Sequence, residues 1–115
     1  MVYKKSKIKN IVLEFIKELN RRRIPVNQVI LFGSYAYGKP NLRSDIDLAV
    51  VSPKFKNMDD IKRIMILSDA ARHIKTPRPI DINPIGFTGE ELEKADYFKI
   101  GGEIVEKGVV LYNNV

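Results

Sequence analysis

Hydrophobic positions fall in two rhythms along this chain. From about Ser6 to Arg23 they sit at Ile8, Ile11, Val12, Phe15, Ile16 and Leu19, the i, i+3, i+4, i+7 spacing of one helix face. Ser6 is placed to cap the first turn, and Pro25 to mark the stop. The stretch QVILFGS, Gln28 to Ser34, is short, continuous and apolar, which predicts a strand buried on both faces. Tyr35 to Ser44 carries Gly38, Pro40 and Asn41 and predicts a loop.

The rhythm then changes to two. In SDIDLAVVS, Ser44 to Ser52, alternation sets Ile46, Leu48 and Val50 on one face and Asp45, Asp47, Ala49 and Val51 on the other. PKFKNM predicts a second loop. A second helix is predicted from about Asp59 to Lys75, with an inner stripe of Ile61, Ile64, Met65, Ser68, Ala71 and Ile74. Asp59 and Asp60 suit its positive N-terminus. After TPRP, PIDINPI predicts a third strand with Asp81 and Asn83 on one face, opposite Ile80 and Ile82. TGEE, Thr88 to Glu91, is a capping box opening a short helix. A last helix is predicted from about Asp96 to Lys107, stopped by Gly108, and VVLY reads as a final strand. The order α-β-β-α-β-α-α-β predicts a two-layer α+β fold: a mixed sheet with helices mainly on one face.

Composition narrows this further. The 115 residues are 44% hydrophobic and 30% charged, which fits one folded domain over 1–115 rather than a disordered chain. Without cysteine there are no disulfides or thiolate metal sites, and a reducing cytoplasm is the expected location. The basic start, MVYKKSKIKNIVLEF, lacks the apolar core of a signal peptide, and no apolar run approaches membrane-span length. The net charge is +6, with basic clusters at KKSKIK and at Arg21 to Arg23. Such a surface favours nucleotides, nucleic acid or an acidic partner, although a solvated lysine-rich face is the plainer reading. Arg21 to Arg23 also suit the C-terminus of the first helix.

The candidate chemistry gathers between residues 33 and 47. On a strand, Asp45 and Asp47 project to the same side, with Cα atoms roughly 6–7 Å apart. Two carboxylates that close repel unless a cation lies between them. Mg2+ answers this, because it takes oxygen ligands and keeps waters and substrate phosphates. If the third strand lies beside the second, Asp81 joins the group. Three carboxylates can hold two metal ions about 3.5–4 Å apart, the arrangement that clamps both oxygens of an in-line phosphoryl displacement. Gly33-Ser34 ends the first strand, where glycine admits close approach and backbone N–H groups plus a hydroxyl can hold phosphate oxygens. Lys39 and Arg43 in the next loop could add positive charge to a triphosphate. Phosphate donors, metal ligands and a candidate base together describe nucleotidyl transfer.

With those residues in view, GSYAYGKPNLRSDIDL resembles the G-S-x10-D-x-D signature of the DNA polymerase β-like nucleotidyltransferases. The small size, the S-D-I-D-L texture and the closing EIVEKGVVLY resemble its minimal nucleotidyltransferase (MNT) branch across nearly the whole chain. The resemblance implies that Gly33 and Ser34 hold the β- and γ-phosphates of ATP, and that Asp45 and Asp47 ligate metal. It implies that Asp81 is the third carboxylate and the base for the acceptor hydroxyl. It further implies AMP transfer with pyrophosphate leaving. Minimal members are often antitoxins that attach AMP to a tyrosine of a helical HEPN-domain ribonuclease. The chain departs from many relatives in having Tyr35 and Tyr37 where they carry arginine or lysine.

Other functions remain open at this level. One is transfer to a small molecule or an RNA end, although no appended substrate domain is present; a homodimer could supply the missing surface. Another is a non-catalytic antitoxin that only covers its partner. Nucleic acid is the weaker partner expectation, and no membrane partner is expected. His73 falls off the predicted stripe of its helix and is expected to face solvent. Gly101-Gly102 inside a helix costs about 1 kcal/mol per glycine relative to alanine, which close helix packing would explain.

Overall fold

The computed structural model describes residues 2–76, 80–94 and 100–114. Helix α1, Lys5–Arg21, buries Ile8, Ile11, Val12, Phe15, Ile16 and Leu19, the six positions of the predicted face. Its ends differ from expectation. Lys4 is the N-cap without a side-chain hydrogen bond, and Ser6 lies inside the first turn. The stop is not Pro25 but a left-handed residue, Arg23, at φ 63°. Arg23 N–H donates to Asn20 O and Ile24 N–H to Leu19 O, each at 3.0 Å, closing the last carbonyls in a Schellman turn. Ile24 and Leu19, the pair that packs across such a turn, are both buried.

Strand β1, Gln28–Phe32, is buried on both faces as expected but ends before Gly33. The predicted loop after it opens with a one-turn helix, α2, Ser34–Tyr37. Strand β2, Ile46–Val51, is shorter than predicted and leaves Asp45 just ahead of it. A 3-10 turn at Pro53–Phe55 replaces part of the second predicted loop and buries Phe55. Strand β3 is Ile82–Phe87, α4 is Gly89–Glu93 with the expected Thr88–Glu91 capping box, α5 is Ile100–Lys107 and β4 is Val109–Asn113. The predicted start of the last helix, Asp96, and the Pro79 start of the third strand lie outside the described residues.

Helix α3, Asp60–Ala71, turns a different face inward from the one predicted. Asp59 caps it, accepting from Lys62 N–H at 2.8 Å. The buried residues are Arg63, Leu67 and Ala70. Ile61, Ile64 and Met65, expected inside, are 71%, 48% and 66% exposed. Two overlapping apolar stripes run along this helix, and the one carrying an arginine is the one that packs. Burial of Arg63 is tolerated because its guanidinium is fully engaged. It donates to Met58 O (3.0 Å), Gly86 O (3.3 Å), Phe55 O (2.6 Å) and both oxygens of Glu91 (2.6 and 3.0 Å).

The four strands form one mixed sheet in the order β3-β2-β1-β4. β1 pairs antiparallel with β2 and with β4, and β2 pairs parallel with β3. The larger core lies on the α1 and α3 side and includes Val29, Leu31, Leu48, Val50 and Leu67. A smaller one on the other face gathers Ile30, Phe32, Ala49, Val51, Leu92 of α4 and Ile104 of α5. This is the α+β arrangement predicted, with the two long helices on one face. Among the described residues no helix is long and apolar enough to cross a membrane.

Candidate active site

Strand directions decide what meets at the sheet's end. Antiparallel pairing sets Phe32, the last residue of β1, opposite Asp47 near the start of β2. Parallel pairing sets Ile46 beside Ile82 and Asp47 beside Asn83. The C-terminal end of β1 and the N-terminal ends of β2 and β3 therefore share one edge, which collects Gly33, Ser34, Asp45, Asp47, Asp81 and Asn83.

Gly33 joins β1 to α2 with φ 74°, a region disfavoured for residues with a Cβ. A Cβ there would also strike the Asp47 carboxylate. Asp47 is half-buried, and its Oδ1 accepts from Asn83 Nδ2 at 3.2 Å. Burial pushes its pKa up, the Asn83 hydrogen bond opposes that shift, and the Asp45 charge adds to it. Asp45 is exposed. Two carboxylates so arranged fit a hard divalent cation, which would relieve both the repulsion and the desolvation.

Asp81 lies one residue ahead of β3, and its carbonyl accepts from Ile46 N–H at 2.9 Å. The condition set by the sequence, that the third strand run beside the second, is therefore met. The Asp81 side chain is exposed. Among the described residues no three acidic, histidine or cysteine side chains form a metal-holding group.

Ala36 and Tyr37 N–H donate to Gly33 O at 3.0 and 3.2 Å. The Ser34 and Tyr35 N–H groups, in the first turn, have no acceptor within the helix. Lys39 and Arg43 are exposed on the following loop and, among the described residues, make no ion pair. That loop is pinned by Asn41, whose Oδ1 accepts from Arg43 N–H at 2.8 Å, while its own N–H donates to Ser44 Oγ at 2.9 Å. Tyr35 packs against the larger core and its hydroxyl accepts from Tyr3 N–H at 3.4 Å. Tyr37 is exposed, and Lys107 Nζ lies 5.7 Å from its ring centroid. His73 faces solvent, as expected, with Arg22 Nη2 at 3.1 Å from Nδ1.

Two site residues escaped the sequence reading. Asn83 was assigned to the right face without a partner, and its spacing from Asp81 was the available signal. Lys107 carried none, because its position depends on β4 pairing with β1. A concave surface at the opposite end of the sheet, lined by Asn27, Pro53, Lys56 and Thr88 among others, contains none of the candidate residues.

A glycine turn at the end of β1 packed against Asp47 of β2 sits in a fold of the nucleotidyltransferase class. Residues 14–114 match the polymerase beta, nucleotidyltransferase family, and the chain belongs to that family. Solved structures agree in fold. A nucleotidyltransferase candidate from Sulfolobus solfataricus superposes with a TM-score of 0.64 at 20% identity, covering 98% of this chain and 92% of that one. A toxin–antitoxin complex with AMP-PNP gives a TM-score of 0.56 at 25% identity, covering 91% of this chain and 73% of that one. A tyrosine-to-alanine mutant of the toxin–antitoxin MntA-HpeT gives 0.54 at 25% identity, covering 89% and 72%. No curated protein sequence matches the chain significantly.

Proposed function

We propose that this chain is a Mg2+-dependent adenylyltransferase that moves AMP from ATP to a tyrosine hydroxyl of a HEPN-type ribonuclease partner, and so acts as the partner's antitoxin in the cytoplasm. The observation that carries the reading is the Asp47 carboxylate seated against Gly33. It supports the reading by setting a carboxylate suited to metal beside a turn suited to phosphate. The likeness to a toxin–antitoxin complex holding an ATP analogue supports the choice of nucleotide and partner class.

In this reading Asp45 and Asp47 hold the metal, and Gly33 and Ser34 receive the β- and γ-phosphates. Lys39 and Arg43 offset phosphate charge from the loop. Mg2+ would supply charge neutralisation on the phosphates and on the leaving oxygen. Asp81 accepts the proton of the acceptor hydroxyl. The acceptor oxygen bonds to the α-phosphorus, the bond from that phosphorus to the bridging oxygen breaks, and pyrophosphate leaves. Asn83 keeps the Asp47 carboxylate aimed at the shared end of the sheet.

Intact-mass spectrometry of a HEPN partner, incubated with this protein, ATP and Mg2+, tests the proposal. A gain of one or more adenylates is expected with the native chain and none with Asp45→Ala/Asp47→Ala. An unmodified partner in a stable complex would instead identify an antitoxin acting by coverage.

A further inference from the structure

Lys107 closes α5 one residue before Gly108, and its surroundings connect it to the phosphate turn. β1 and β4 are antiparallel, with Leu31 opposite Val109. Antiparallel pairing therefore puts the start of β4, and with it the end of α5, at the same end of the sheet as Gly33. The lysine side chain leans the same way, because its ammonium lies 5.7 Å from the centroid of the Tyr37 ring, on the helix that begins right after Gly33.

Charge makes this placement consequential. The ATP tail brings several negative charges to an edge that already carries Asp45 and Asp47. A metal ion offsets part of that charge, and a cation on the far side of Gly33 from the aspartates would offset more. Lys39 and Arg43 are exposed on a loop, and neither is held at the turn. Lys107 lies against Tyr37 of the helix that follows Gly33, and among the described residues its ammonium makes no ion pair. Its ring contact is an exposed cation–π interaction, of the weak kind that a phosphate can displace. A lysine in a last helical turn also complements the helix dipole, but that role requires no aromatic ring beneath the ammonium.

We infer that Lys107 is a polyphosphate-binding residue, resting on the Tyr37 ring in the empty site and moving to the β- or γ-phosphate of the nucleotide. This rests on the adenylyltransferase reading. It assigns the triphosphate cation of this chain to the end of α5 rather than to the loop after Gly33.

Isothermal titration of the full chain with ATP and with AMP, in Mg2+, separates the possibilities. Lys107→Ala is expected to weaken ATP roughly tenfold, while AMP, which lacks the β- and γ-phosphates, changes by less than about twofold. Lys107→Arg is expected to restore most of the ATP affinity, and the thermal midpoints of all three proteins to agree. Equal ATP affinity in native and Lys107→Ala protein overturns the inference and leaves the adenylyltransferase reading intact. A parallel loss for ATP and AMP also overturns it, since that is the mark of a structural role. A native chain that binds no ATP overturns both.

Discussion

The carboxylate of Asp47 occupies the space into which a side chain at Gly33 would grow. The turn that would hold phosphate and the residue that would hold metal are thus a single packed unit, joined across the β1–β2 pair. Gly33→Ala is disfavoured twice, by the positive φ and by the collision. It should cost about 1–3 kcal/mol of stability. It should also cut ATP binding, because relief of the clash must move Asp47. Urea denaturation alongside ATP titration checks both parts.

Asp47 itself illustrates a site that works against the fold. Its pKa is raised by burial and by Asp45, so its charged form is less favoured in the folded chain than in the unfolded one. Neutralising it should stabilise the protein at neutral pH. Asp47→Asn keeps the oxygen that accepts from Asn83 and should melt higher than the native chain without added metal. Added Mg2+ should raise the native midpoint and leave that of the variant unchanged, by linkage of binding to folding. Differential scanning calorimetry with and without Mg2+ measures this. A variant that melts lower would show that the Asn83 bond outweighs the charge penalty.

Arg63 is the polar centre of the larger fold. Only 6% exposed, it ties α3 to the Phe55 turn, to β3 and to α4. Arg63→Ala would remove the guanidinium donor from the Gly86 carbonyl, leave the Phe55 carbonyl only its Met58 N–H donor, and release Glu91. The Glu91 side chain is 44% exposed, so water recovers part of that loss. A destabilisation of about 2–4 kcal/mol is expected, below the cost of breaking a fully buried pair. Chemical denaturation of Arg63→Ala gives the value, and a change under 1 kcal/mol would mean that solvent replaces the whole network.

The same arginine explains what the sequence could and could not disclose. Helix α1 was legible because a single apolar stripe runs its length, and β2 because its segment opens on the alternation of Asp45, Ile46, Asp47 and Leu48 and closes on an apolar run. Helix α3 carries two stripes, and polarity argued against the one that packs. Nothing local says that Arg63 will find Glu91, 28 residues away. The one-turn α2 is too short for a periodic signal. In the site, Gly33, Ser34, Asp45 and Asp47 were legible because motif spacing reflects the antiparallel β1–β2 geometry. The Asp81 position was legible through the parallel β2–β3 pairing, which sets its carbonyl against Ile46 N–H. Lys107 was invisible for a different reason: its neighbour, the Tyr37 ring, is distant in sequence and on another element.

The Schellman turn after α1 offers a stabilising change. Arg23 holds a left-handed conformation at φ 63° that glycine adopts without steric cost. Arg23→Gly removes that strain and keeps the two backbone hydrogen bonds, while it frees the unfolded chain. A net gain of about 0.5–1 kcal/mol is expected. Replacing Arg23 by valine, which tolerates this conformation worse still, should destabilise. Paired urea melts of the two variants give opposite signs if the backbone conformation is the cause, and the same sign if the arginine side chain is.

Stability should fall in acid, and the carboxylates that bind arginine set where. Hydrogen bonds from Arg22 and Arg72 lower the pKa of Asp69 from 3.8 to about 2. Arg63 lowers that of Glu91, and Arg22 that of Glu18, from 4.5. Each folded-state pKa lies below its unfolded value. Each therefore contributes stability that is complete above the unfolded pKa and lost as pH falls through the folded one. Asp47 has the opposite sign, since its raised pKa makes its protonation favour the folded chain as pH falls. Three groups against one predict a net loss that begins near pH 4.5 and continues toward about pH 2. Asp69 sits on the α1–α3 surface, where salt screens it, so its part of the slope should flatten at high ionic strength, while Glu18, only 14% exposed, is screened less. Glu91, held by a buried guanidinium, should keep its share. Urea unfolding between pH 7 and 3, repeated with Asp69→Asn and with Glu91→Gln, separates the contributions. The Glu91 variant should lose more of the acid dependence in high salt than the Asp69 variant does. The reverse order would place the acid sensitivity on the helix surface rather than at the Arg63 centre.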